Sequence, residues 1–238
     1  MVKVDRDLPP RSISYAEISR NGRSVARLDS LHYSLETTDF ALFPFLGGKA
    51  KQLAVSQTVP KYWVHWVVSL SRGARVLFYS RDFDLSRELM VADLDHDGVS
   101  EIFQCVMRFD YFDVLAHSES PLPTVIFKYN ARVGKYLPAN RRFAGYLLKG
   151  VDADLADARY LGQGLDRSRD YRKNYSAAWE AYLGKLLDVV LTYIYAGKEK
   201  RGWAIYDREY RFPDSRMLKR KIKHQLASCP VYKFLYRR

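Results

Sequence analysis

From about residue 15 to residue 136, hydrophobic and polar positions alternate with a period of two, and turn residues break the pattern every eight to twelve residues or so. That rhythm predicts an antiparallel sheet system. In residues 61–70, Tyr62, Val64, Trp66, Val68 and Leu70 fall on one face, and Trp63, His65, Val67 and Ser69 on the other. Both faces are largely apolar, so this strand is expected to be covered on both sides. Residues 75–79 and 124–129 read the same way, with Ser71-Arg72-Gly73 and Asn130-Ala131-Arg132-Val133-Gly134 as punctuation.

After Pro138 the period becomes that of a helix. Over residues 176–196, Trp179, Leu183, Leu186, Leu187, Val190, Leu191 and Ile194 make one broad apolar stripe, with Ser176 placed to cap its start and Gly197 to end it. Residues 202–211, led by Trp203 and Tyr206, predict a second helix. Residues 213–228 predict a third, opened by Pro213 and seamed by Leu218, Ile222 and Leu226. A shorter helix is expected over 151–161, and 162–173 reads as a polar connection. The fold class that follows is α+β: a β-rich region over 1–138, then a helical C-terminal region over 139–238 packed on it.

Charge divides the chain at the same place. Its formal net charge is +12. Residues 1–138 hold 17 Lys and Arg against 16 Asp and Glu, whereas residues 139–238 hold 22 against 11. The basic end, with Arg216, Lys219, Arg220, Lys221, Lys223, His224, Arg237 and Arg238, suits an acidic protein or envelope component. Nucleic acid or an anionic surface is the alternative, although no nucleic-acid motif accompanies the charge. No stretch approaches the roughly 20 apolar residues of a membrane span, and residues 183–196 are interrupted by Lys185 and Asp188. Cys105 and Cys229 are too few for a disulfide framework. They read as two buried thiols or, in an exported protein, as one long-range disulfide.

The sharpest chemical signal is Asp93-Leu-Asp95-His-Asp97-Gly98-Val99-Ser-Glu101. Oxygens at alternate positions, a glycine directly after the third aspartate and a closing acid match what a hard cation needs. The side chains of Asp93, Asp95, Asp97 and Glu101 and the carbonyl of Val99 are the expected ligands, Ca2+ the expected ion, and its role structural. Gly98 makes the turn, and His96 points outward between two ligand positions. With four carboxylates in one turn, the loop without an ion is expected to repel itself. Strands flank the loop, and Gln104 stands where an EF-hand carries its bidentate glutamate, which argues against an EF-hand.

The stretch from Asp93 to Ile102, entered from an apolar strand, resembles the calcium loop of FG-GAP or VCBS repeats, which build integrin-type β-propellers. The resemblance implies the same five ligand positions. That family more often has aspartate where Glu101 stands, and glycine or asparagine where His96 stands. One copy of the loop is too few for a propeller. The combination of this loop, the strand within residues 121–129 and a helical end resembles exported bacterial proteins. An exported chain implies a leader missing from these residues, because the N-terminus lacks a signal-peptide core; a cytoplasmic location is the alternative.

Catalytic signatures are absent: no Gly-x-Ser-x-Gly elbow, phosphate-binding glycine loop or His-Glu-x-x-His helix occurs. His65 reads as a satisfied core residue rather than a base. The polar run over 110–120, with Asp110, Asp113, His117 and Ser118, reads as a structured loop, with a pocket and an unfamiliar hydrolase as the alternative. Trp179 and Trp203 are expected to anchor helices to the core. The function expected is that of a non-enzymatic, calcium-stabilised, extracytoplasmic interaction or accessory subunit.

Overall fold

The computed structural model describes residues 2–4, 13–32, 38–59, 62–71 and 74–236. Lys61, Arg72, Gly73, Arg237 and Arg238 lie outside the described residues. The protein is α+β, with antiparallel sheets in its N-terminal and central parts and helices mostly in its C-terminal half. It forms two compact units. One comprises Met1–Gln104 and Phe127–Leu137, the other Cys105–Ile126 and Pro138–Arg238.

The first unit opens with strands β1 (Val2–Val4), β2 (Ile13–Arg20) and β3 (Arg23–His32), an antiparallel sheet in sequence order. Asn21 and Gly22 join β2 to β3 with φ of 52° and 76°. A two-residue hairpin whose central residues are both left-handed matches the right-handed twist of its strands, and Asn-Gly is the dipeptide that adopts it at least cost.

Strands β4 (Thr38–Phe43), β5 (Gln52–Val59), β6 (Tyr62–Ser69) and β7 (Arg75–Tyr79) form a second antiparallel meander. Its register places Phe40, Val55, Trp66 and Tyr79 in one row across the sheet. Trp66 and Tyr79 stack at 5.1 Å. Ile18, Leu53, Val55, Val64, Trp66 and Val68 make a buried cluster. On the opposite face of β6, His65 and Val67 are buried too, so the strand is covered on both sides as its two apolar faces require.

Burial makes His65 a structural residue. Its Nδ1 accepts from the Ser56 hydroxyl at 2.8 Å, and its Nε2–H donates to the Arg87 carbonyl at 2.7 Å. Burial pushes its pKa below the ordinary value of 6.5, against the hydrogen bond to Arg87. The unfolded chain therefore binds this proton more readily. The contribution of His65 to stability is complete above about pH 6.5 and is lost as pH falls through the lower folded value. Urea midpoints of the wild type should fall between pH 7.5 and 5.5, and those of His65→Gln should fall less. Parallel curves would mean that His65 is charged in the folded protein.

A third sheet, in the order β11-β10-β9-β8, comprises β8 (Leu85–Ala92), β9 (Glu101–Val106), β10 (Thr124–Asn130) and β11 (Lys135–Pro138). Alternation along β9 stops at Val106, because Met107–Phe109 winds into a 3-10 turn. Met107 and Phe109 therefore stand on the turn and not on the strand face that carries Phe103 and Cys105.

The second unit carries α1 (Ala144–Leu147), α2 (Val151–Leu161), α3 (Ala177–Tyr195), α4 (Glu199–Glu209), α5 (Ser215–Ser228) and α6 (Pro230–Tyr236). The stripe on α3 is wider than the periodicity implies, since Tyr182, Val189, Tyr193 and Tyr195 are buried as well. Gly197 ends the helix at φ 80°, and Ser176 stands at the N-cap without a side-chain capping bond. Helix α4 starts earlier than expected, because the chain re-enters helix straight after Gly197, where Arg201 N–H reaches the Lys198 carbonyl. Helix α5 starts after Pro213, with Asp214 at its N-cap. Trp179 is buried as an anchor. Trp203 is instead half-buried under Lys219 and Lys223, whose ammonium groups lie 5.3 and 5.4 Å from its ring. No disulfide joins Cys105 and Cys229; Cys229 is buried as expected and Cys105 is half-buried, and Tyr195 donates its hydroxyl to the Cys229 sulfur at 3.2 Å. Among the described residues no helix is long and apolar enough to cross a membrane.

Candidate metal centre

The acidic loop links β8 to β9, and its own carboxylates wind it. Asp93 accepts from the N–H groups of Asp97 (3.1 Å) and Gly98 (2.9 Å), and Asp97 Oδ1 accepts from Val99 N–H at 3.0 Å. His96 and Gly98 take left-handed φ of 56° and 84°. Glycine reaches such values without the cost of a Cβ, which is the role expected of Gly98. His96 is exposed, as its place between ligand positions implies. Glu101, the first residue of β9, is fully buried, and its Oε2 accepts from Leu94 N–H at 2.8 Å, closing the loop.

These bonds bring carboxylate oxygens of Asp93, Asp95 and Glu101 within 4.8 Å of one another, and this triad can hold a metal ion. Oxygens bound to Ca2+ at 2.3–2.6 Å lie at most about 5 Å apart across the ion, so the spacing and the hard donor set both suit it. Asp97 stands beside the triad with its side chain 42% exposed. Val99 contributes its N–H to the winding of the loop.

Lys128, on β10, is the residue that the sequence reading missed. Its Nζ lies 2.7 Å from Glu101 Oε1, 2.8 Å from Asp97 Oδ2 and 3.0 Å from Asp95 Oδ1, and its side chain is only 15% exposed. Burial alone would lower its pKa, but hydrogen bonds to Asp97, Glu101 and Asp95 outweigh that and hold the ammonium well above its ordinary value. The expected self-repulsion of the loop is thus relieved from within the chain. The signal lay in the sequence as a lone cation in the otherwise apolar run Val125-Ile-Phe-Lys128-Tyr.

A second support comes from the segment before β5. The Phe45 carbonyl accepts from Ser100 N–H (2.9 Å) and from the Tyr136 hydroxyl (3.3 Å), which also donates to the Ser100 carbonyl at 3.0 Å. Gly47 meets Gly98 backbone to backbone, so that a Cβ at position 47 would lie 2.3 Å from the Gly98 oxygen. Burial, and then the Glu101 carboxylate, keep the Tyr136 phenol protonated far into the alkaline range.

In the helical unit, the polar run at 110–120 is a structured loop. Asp110 Oδ1 pairs with His117 Nδ1 at 2.5 Å, Ser120 Oγ accepts from Tyr111 N–H at 2.8 Å, and Ser120 donates to the Ala116 carbonyl at 2.8 Å. Asp113 is tied to Arg172 and to Lys221 of α5. Beside it lies an open groove of about 600 Å³ lined by Phe112, Asp113, Met217, Arg220, Lys221 and His224. No family model matches the chain, and no curated protein and no solved structure shows significant similarity to it.

Proposed function

We propose that the chain is a non-enzymatic interaction or accessory protein that works outside the cytosol. A Ca2+ ion stabilises its β unit, and its basic helical unit engages an acidic protein or envelope component. The observation that carries the reading is the convergence of Asp93, Asp95 and Glu101 oxygens within 4.8 Å at the ligand spacing of a calcium loop. Asp93, Asp95, Asp97 and Glu101 would hold the ion with their carboxylates, and Val99 with its carbonyl. The ion would supply a fixed double positive charge that ties β8 to β9. Weak calcium sites fill where calcium is millimolar, and that is the argument for a working compartment outside the cytosol.

Support for the partner comes from α5, which carries Arg216, Lys219, Arg220, Lys221 and Lys223 and no acid. Lys219 and Lys221 are paired with Asp207 and Asp113, while Arg216, Arg220, Lys223 and His224 are exposed. An acidic protein surface complements that face. The same charge is the basis of the nucleic-acid reading, in which affinity falls steeply with salt; a flat salt response in a filter-binding titration excludes it. A hydrolase has less support, because Asp110 and His117 are paired with each other and Asp113 with Arg172 and Lys221.

The calcium reading is tested by melting the protein in millimolar CaCl2 and in a chelator. At ten times its dissociation constant the ion adds about 1.4 kcal/mol. That should raise the melting temperature by roughly 3–6 °C for a chain of this length. Equal melting temperatures overturn the reading.

A further inference from the structure

We infer that Lys128 is a tethered counter-ion of the acidic loop, so that a divalent cation binds there by exchange with the lysine ammonium. The inference rests on the calcium reading above and adds a competitor for the same oxygens. Three of the four acids expected to hold the ion, Asp95, Asp97 and Glu101, already face Lys128 Nζ within 3.0 Å. An ammonium and a divalent ion sharing those oxygens would sit within a few ångströms of each other and repel strongly. One of them must leave. The chain makes that feasible: lysine carries its charge on a flexible four-carbon stem, and the 42% exposed Asp97 marks a side of the cluster open to solvent.

Two consequences follow. When calcium is scarce, Lys128 neutralises part of the charge of the loop and keeps β10 tied to the start of β9, so the fold does not depend on the metal. When calcium is abundant, its binding is weakened by the cost of expelling the ammonium, which moves the site towards the millimolar range of extracellular modules.

The test is a calorimetric titration of Ca2+ into the wild type, Lys128→Met and Lys128→Arg, with Lys135→Met as a control that removes an exposed charge from β11. Lys128→Met should bind Ca2+ at least tenfold more tightly than the wild type. It should also melt lower than the wild type in chelator and regain that loss in calcium. Lys128→Arg keeps a cation at the loop and should stay weak, and Lys135→Met should match the wild type. If Lys128→Met does not fold without metal, it is prepared in calcium and its dissociation constant measured by competition with a chelator; Lys128→Gln, which retains a hydrogen-bond donor, repeats the comparison.

Equal affinities in the wild type and Lys128→Met overturn the exchange and leave the calcium reading standing. Binding by Lys128→Met alone makes the ammonium a permanent occupant of the loop and overturns both the exchange and calcium binding by the wild type. A tenfold gain in Lys135→Met as well reduces the effect to net charge and overturns the exchange. No binding by any variant overturns both.

Discussion

Replacing Arg172 with methionine should lower the stability of the helical unit by about 3–5 kcal/mol, the range for removing one partner of a buried ion pair. Arg172 Nε donates to Asp214 Oδ2 at 2.6 Å, and its terminal nitrogen donates to Asp113. Both carboxylates are buried, with side chains 6% (Asp113) and 11% (Asp214) exposed. Burial pushes the Asp113 carboxyl up, but the hydrogen bonds from Arg172 and Lys221 outweigh it and hold the group below the ordinary carboxylate value. Without the guanidinium, Asp113 keeps only the exposed Lys221 of these two partners, and Asp214 keeps the Tyr210 hydroxyl at 3.3 Å. Hydrogen exchange measures the effect unit by unit: the slowest amides of α3 should exchange faster by roughly two to four orders of magnitude, and those of β5 and β6 should not change. A loss in α3 below about 1 kcal/mol would mean that solvent screens the pair as it does on a surface.

Glu101→Ala is expected to destabilise the β unit by about 3 kcal/mol, the low end for breaking a buried ion pair, because Asp95 and Asp97 still face Lys128. Two bonds go at once: the one from Leu94 N–H that closes the loop and the one from Lys128 that ties it to β10. Glu101 is also one of the three acids that converge, so the variant should lose the rise in melting temperature that calcium gives the wild type. Urea unfolding in chelator reads the first effect, and melting with and without calcium reads the second. A variant as stable as the wild type would show that the buried carboxylate does not hold the loop in place.

Much of this architecture is legible in residue order, because it depends on local periodicity. The two apolar faces of β6, the strand over 75–79, the helix over 151–161 and the stripe of α3 repeat at 2 or about 3.6 residues and are found where those periods place them. Boundaries that depend on turns read less well. Helix α4 begins immediately after the Gly197 turn, β9 ends in a 3-10 turn, and α6 is too short to declare a period of its own. The partition of the chain has the same character, since residues 105–126 gather with the helices through contacts distant in sequence.

The acidic loop divides along the same line. Asp93, Asp95, Asp97, Gly98 and Glu101 lie within nine consecutive residues, so their spacing alone marks a winding that gathers carboxylates. Lys128 lies 27 residues beyond Glu101, Tyr136 lies 36 beyond Ser100, and Phe45 and Gly47 come from the segment before β5. No local period links these residues to the loop: the pairing of strands within one sheet brings Lys128 and Tyr136 to it, and backbone contacts of the connection between β4 and β5 bring Phe45 and Gly47. The sequence by itself therefore determined a concentration of negative charge in one turn, because a run of side chains fixes its own formal charge and spacing. Tertiary structure decided what answers that charge, because a lysine becomes a counter-ion only when the fold delivers its ammonium to the carboxylates and excludes most of the water that would screen them.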